Sequence, residues 1–141
     1  MLYNGLMNDL NCLAKFVYIY ETSIKNMEGG LKTFSRKYGK AYNVFIKNKL
    51  NKKIKYATTK EITLLTGKEK YTFHMTKSRY QIWDLCRHLR NSFAHGLLSI
   101  SEDHIEIADK RLKCFTAIGC LEYDSLKEFI VEIIKEYESN E

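Results

Sequence analysis

A mainly α-helical fold, a bundle of four to five helices with one small β-hairpin, is what this sequence predicts, and three observations carry that prediction. Proline is absent and glycine occurs only seven times in 141 residues, so few positions interrupt a helix. Apolar residues recur at steps of three and four along two N-terminal stretches and again near the C-terminus. After Gly96 the period drops to two, the pattern of paired strands. A chain of 141 residues can bury one core but not two, so residues 1–141 are expected to form a single domain.

Each element follows from its own signal. Leu6, Leu10, Leu13, Val17, Tyr20, Ile24 and Met27 make one stripe on a helix of about six turns, broken by Gly29-Gly30. Leu31, Phe34, Tyr38, Tyr42 and Phe45 repeat the pattern on a second helix, expected to pair antiparallel with the first. From Asn51 to Thr76 the signal is weak: a short helix from Glu61 to Leu65 ends at Gly67, and Lys68 to His74 reads as loop or a brief extended piece. Thr76 is the expected N-cap of a helix carrying Ile82, Leu85, Cys86, Leu89 and Phe93, which Gly96 stops. Leu98 and Ile100, then Ile105 and Ile107, alternate around a Ser101–His104 turn and predict the hairpin. Residues 112–121 fit a strand or a helix equally. Ser125-Leu126-Lys127-Glu128 has the form of a capping box and opens a last helix with Leu126, Phe129, Ile130, Ile133, Ile134 and Tyr137 on one face.

No stretch approaches the ~20 apolar residues that span a bilayer. The first residues, Met1-Leu2-Tyr3-Asn4-Gly5, lack the basic and apolar regions of a leader. The expectation is a soluble, cytoplasmic chain without a membrane role. Cys12, Cys86, Cys114 and Cys120 stand alone at irregular spacings in apolar surroundings, which predicts buried reduced thiols. Charge is uneven: residues 1–60 hold 12 Lys plus Arg against 3 Asp plus Glu, and no acidic residue falls between Gly29 and Lys60. Such a block suits a polyanion without naming one.

The chemistry concentrates in Arg90-Asn91-Ser92-Phe93-Ala94-His95-Gly96. Asn91 and His95 are four apart and share a helix face, and Arg90 lies about 100° around the cylinder from Asn91. Imidazole is the side chain whose ordinary pKa suits proton transfer near neutrality, and a guanidinium offers donors matched to phosphate oxygens. Cleavage of RNA by its own 2′-OH needs both. It also benefits from two proton carriers, whereas one motif supplies a single imidazole. A twofold dimer would place two motifs together.

Arg90, Asn91 and His95 match the R-x4-H pattern, with a polar residue after the arginine, of the HEPN family, which this chain resembles most sharply from Leu89 to Gly96. The resemblance implies a HEPN-like helical bundle and a metal-independent endoribonuclease that leaves a 2′,3′-cyclic phosphate, in the manner of toxins and antiviral defence effectors. It implies RNA as substrate, a homodimer with paired motifs, an antitoxin protein as partner, and no cofactor. Arg90 would hold the phosphate, His95 would act as base or acid, and Asn91 would orient groups in the site. Leu97 stands where HEPN toxins neutralised by adenylylation carry a tyrosine, a departure that speaks against that mode of neutralisation. Two other readings stay open: a non-catalytic dimer that binds RNA or a nucleotide, and a protein-interaction module with an accidental motif.

His88 is seven residues before His95 and so faces a similar direction, with Arg87 beside it, and both are candidates to extend the site towards RNA. Lys47, Lys49, Lys52 and Lys53 are the densest part of the basic block and candidates to guide RNA, while the aromatic residues among them have the spacing of a buried stripe. His74 and His104 are isolated, and no local spacing brings ligands together for a metal. Asp9, Glu21 and Asp84 are the acidic residues placed to orient His95 or Arg90, and the sequence does not choose among them.

Overall fold

A computed structural model describes residues 2–65 and 71–140, with side chains from Asn8 onward. Helix α1 (Leu2–Ile19) runs without interruption into a π-helical turn (Tyr20–Ile24), closed by the bond from Lys25 N to Tyr20 O at 2.8 Å. There follow α2 (Leu31–Lys37), α3 (Gly39–Lys47), α4 (Leu50–Lys53), β1 (Ile54–Tyr56), α5 (Thr59–Thr63), β2 (Phe73–Met75), α6 (Gln81–Ala94), β3 (Leu98–Ile100), β4 (His104–Arg111), β5 (Cys114–Glu122) and α7 (Tyr123–Ser139).

The bundle of four to five helices with a lone hairpin is not what forms. Among the described residues there are seven α-helical segments and a five-stranded sheet of order β1-β2-β5-β4-β3. The hairpin after the motif helix is present, with Leu98 opposite Ile107 and Ile100 opposite Ile105, but it is one edge of that sheet. Beyond it, β5 pairs antiparallel with both β4 and β2, and β1 adds in parallel to β2. The extra strands escape the periodicity for physical reasons. β1 and β2 have three residues each, too few to show alternation. β5 is central and half-buried along most of its length, so it presents an apolar run rather than a clean period of two.

Gly119 explains how tightly β2 lies on β5. Its φ is +149°, and a Cβ there would run into Thr72 O and Phe73 Cα. Only glycine permits that approach.

The helical layers close around α6 and α7. Ile82, Leu85, Cys86 and Leu89 of α6 are wholly buried, with Phe73 and Met75 of β2 and Ile105 and Ile107 of β4 in the same core. Trp83 Nε1 donates to Ile24 O at 3.2 Å, and Arg79 Nη2 donates to Met27 O and Gly29 O at 3.1 and 2.8 Å, tying the end of the first helix to the start of α6. The expected antiparallel pair of the first two helices is replaced by a different packing: α1 and α3 each lie chiefly on α7. The second helix also divides at Tyr38, whose φ of −122° and ψ of 52° separate α2 from α3 while its side chain stays buried beside Phe34. α3 begins without an acidic residue in its first turn or a side-chain cap of its own. Glu136 of α7 supplies both, accepting from Lys40 N and Ala41 N at 2.9 Å each.

The apolar stripes hold with exceptions. Leu13, Tyr20, Ile24, Met27, Phe34, Tyr38 and Phe45 are buried as expected, whereas Leu10 and Leu31 are exposed. The Leu6 side chain, the Gly67 stop and residues 68–70 lie outside the described residues. The short helix is α5, capped by Thr58 and Glu61 reciprocally. Thr76 does not cap the motif helix. α6 starts four residues later, and Asp84 satisfies its entry by accepting from Ser78 N at 3.1 Å and Arg79 N at 3.2 Å. The Ser125 capping box is likewise absent, because α7 already begins at Tyr123, Ser125 Oγ donates to Glu122 and Glu128 accepts from Asn48. Among the cysteines, Cys86 is buried but Cys114 is exposed, since it stands at the open end of β5.

Candidate active site

The end of α6 is built to turn the chain sharply and leave His95 outside. Gly96 has φ +69°, Gly96 N donates to Phe93 O at 3.2 Å and Leu97 N to Ser92 O at 2.8 Å. This is a Schellman stop, and the left-handed φ it sets at Gly96 favours glycine. His95 is the C-cap, exposed, and its ring makes no hydrogen bond or ion pair with another described residue.

Next to it opens a cleft of about 470 Å³, walled by Thr76, Lys77 and Ser78 after β2, Arg87, Asn91 and His95 of α6, Asp109, Lys110 and Arg111 of β4, and Thr116 of β5. Four cations, Lys77, Arg87, Lys110 and Arg111, face one carboxylate there, so the cleft is a positive concavity suited to a phosphodiester.

Behind the wall runs a polar relay. Asp109 Oδ2 accepts from His88 Nδ1 at 2.8 Å and from Asn91 Nδ2 at 3.0 Å. Asn91 Oδ1 in turn accepts from Arg90 Nη1 at 3.1 Å, and Arg90 Nε lies 2.7 Å from Glu21 Oε1. A donor on one side and an acceptor on the other admit only one orientation of the Asn91 amide. Burial opposes ionisation of Asp109, but the hydrogen bonds from His88 and Asn91 and the nearby charges of His88 and Arg87 outweigh it, so its carboxyl lies below the ordinary value. Glu21 reaches Arg90 from the π-turn.

Of the motif residues, Asn91 and His95 line the cleft and Arg90 does not. Arg90 and His95 are five apart, about 140° around the helix, and among the described residues Arg90 is joined to the site through Asn91. Arg87 lines the cleft, half-buried, with Nη2 3.1 Å from His88 Nε2 and 3.8 Å from Asp84 Oδ1. His88 has no exposed surface, which removes it from direct contact with RNA. Lys47, Lys49, Lys52 and Lys53 lie on and between α3 and α4 and are not part of the cleft wall. Among the candidate acidic residues Glu21 meets Arg90, Asp84 holds the Ser78-Arg79 segment that leads into α6 and accepts from Tyr56 Oη, and Asp9 pairs with Lys127.

Asp109, Lys77, Lys110 and Arg111 are residues of the site that sequence reasoning does not select. Asp109 carries a signal: it is an acidic residue within the apolar alternation of a strand, where burial demands partners. The three cations carry none, because the sheet that brings them to the helix leaves no mark in their own neighbourhood.

Among the described residues, no group of three His, Cys, Asp or Glu side chains could hold a metal ion, and no helix is long and apolar enough to cross a membrane. Neither the curated proteins nor the solved structures contain a match to the chain. A family model does match: the one described as HEPN pEK499 p136 covers residues 2–141. With the R-x4-H residues on the last turns of α6 and the match running from end to end, the chain belongs to the HEPN pEK499 p136 family.

Proposed function

We propose that the protein is a metal-independent endoribonuclease, acting as a homodimer in a toxin or defence role. The observation that carries this reading is His95: an exposed imidazole with no partner among the described residues, on the wall of a cleft that also presents Arg87, Lys77, Lys110 and Arg111. In the reaction His95 takes the proton of a ribose 2′-OH, O2′ attacks phosphorus, and the P–O5′ bond breaks. The departing O5′ takes a proton from the His95 of a second copy, leaving a 2′,3′-cyclic phosphate and a 5′-hydroxyl. The cleft cations stabilise the charge that develops on the phosphorane, and Arg90 acts through Asn91, whose amide it holds in the cleft wall. The antitoxin partner belongs to the same reading.

A second reading has its own support. Arg90 is engaged by Glu21 and Asn91 and turned from the cleft, which favours a dimer that binds RNA without cutting it. One experiment separates the two: end-labelled single-stranded RNA in EDTA, with the wild type, His95→Ala and Arg90→Ala, and identification of the product ends. Cutting to a cyclic phosphate, lost in both variants while fold and dimerisation persist, supports the nuclease. Salt-sensitive binding without turnover supports the binding module.

A further inference from the structure

We propose that the tip of the β4–β5 hairpin, Arg111-Leu112-Lys113, is a second contact surface for single-stranded RNA, seating nucleotides that flank those held in the cleft; this rests on the RNA reading above.

The tip continues the cleft directly. Lys110 and Arg111 belong to the cleft wall, and the next two residues form the turn. Its base is fixed to the cleft floor: Thr116 Oγ1 donates to Asp109 O at 3.2 Å, and Thr76 N donates to Thr116 O at 2.9 Å. The register jumps there, with Asp109 opposite Ala117 but Lys110 opposite Phe115, so Thr116 is an extra residue on β5. A bulge of this kind bends and twists a hairpin and re-aims what lies beyond it.

The composition of the tip selects the ligand. Lys110, Arg111 and Lys113 meet no carboxylate in the sequence from Lys110 to Leu121. Among them Leu112 is 95 % exposed, and its φ of +60° belongs to the left-handed region that glycine and asparagine occupy more readily. For the isolated fold a leucine here is the wrong residue on both counts, since it is strained and its side chain covers nothing. A residue set against local preference in an exposed turn beside a site points to a contact made only when a ligand is present. Lys110 Nζ lies 4.6 Å from the ring centroid of half-buried Phe115, so the tip joins cations to a second apolar group. Phosphates on the cations and an unstacked base against leucine is how a single strand satisfies such a surface, at no cost of unstacking a duplex.

The test compares wild type with Leu112→Gly, Leu112→Asn and the double variant Arg111→Gln/Lys113→Gln. The probe is a 2′-O-methyl RNA single strand, which has no nucleophile and so reports binding alone. Thermal melts are run beside it. Expected is a melting temperature unchanged or raised for Leu112→Gly and Leu112→Asn, with binding at least threefold weaker. For the double variant the slope of log affinity against log salt falls by about 0.7 for each phosphate that is no longer neutralised. On cleavable RNA the leucine variants raise KM and leave kcat. If the wild type cuts RNA while the leucine variants bind and cut like it, the tip is not a contact and the nuclease reading stands. If the wild type neither binds nor cuts, both fall together, and an acidic protein becomes the ligand to seek for the tip.

Discussion

His88 Nδ1 lies 2.8 Å from Asp109 Oδ2, and the two side chains are 0 % and 4 % exposed. The pair also holds the cleft wall, because Asp109 accepts from Asn91 and His88 Nε2 meets Arg87 Nη2. Asp109→Ala leaves the buried His88 donor and the half-buried Asn91 amide without their acceptor. The expected loss is about 3 kcal/mol of stability, from urea unfolding at neutral pH. An equal unfolding midpoint would show that the relay is incidental.

Acid should act through the same carboxylate. The folded-state pKa of Asp109 is below its ordinary value of 3.8, so between the two values the unfolded chain binds more protons and stability rises with pH. Its contribution is therefore complete at neutral pH and lost as pH falls through that window. In Asp109→Asn the decline in unfolding midpoint from pH 6 to pH 3 should be shallower than in the wild type.

The proposed reaction draws a base and an acid from the His95 of two copies, which makes a prediction about pairs of chains. A dimer of one wild-type and one His95→Ala chain then has no complete site, so an equimolar mixture of the two proteins should keep about a quarter of wild-type cleavage, that of the wild-type dimers alone. Retention of half would show that one His95 suffices for each site. Glu21→Gln, which loosens Arg90 without touching the cleft, should lower kcat more than it changes KM.

Two glycines should respond very differently to alanine. A methyl group at Gly96 would project into open space, and only the φ of +69° opposes it, so Gly96→Ala costs about 1 kcal/mol. At Gly119 the methyl meets the backbone of β2, and Gly119→Ala should cost about 3 kcal/mol or more. Chemical denaturation of both variants checks the ranking.

Thiol titration reads the fold independently. Cys114 is exposed and should react first; Cys12, half-buried with its thiol pushed up by burial, should be slower. Burial pushes the Cys86 thiol up much further, so it should react only on unfolding.

The parts of this molecule that are legible in the sequence are those with local causes. The 3.6 period locates α6 and α7, the period of two locates Leu98–Ile107, and Gly96 locates the stop that exposes His95. The parts that are not legible depend on residues far apart in the chain. Phe73–Met75 is a strand only because residues 117–119 lie beside it, and β1 is one only because of Phe73–Met75. The π-turn leaves no mark on the apolar stripe, yet it brings Glu21 to Arg90. For the same reason Asn91 and His95 can be assigned to one face from spacing, while Lys77, Lys110 and Arg111 cannot be added to it.

Glu136 completes the N-terminus of α3 across 95 and 96 positions of chain, and that span sets an order of events. During synthesis α3 emerges with uncapped amides and a run of lysines around it, and its partner Glu136 is made 95 residues after Ala41. Loop closure over such a length is slow compared with helix formation, so the basic third of the chain waits unfixed until α7 has left the ribosome. Shortening α7 before Glu136 should therefore destabilise α3 as well as α7.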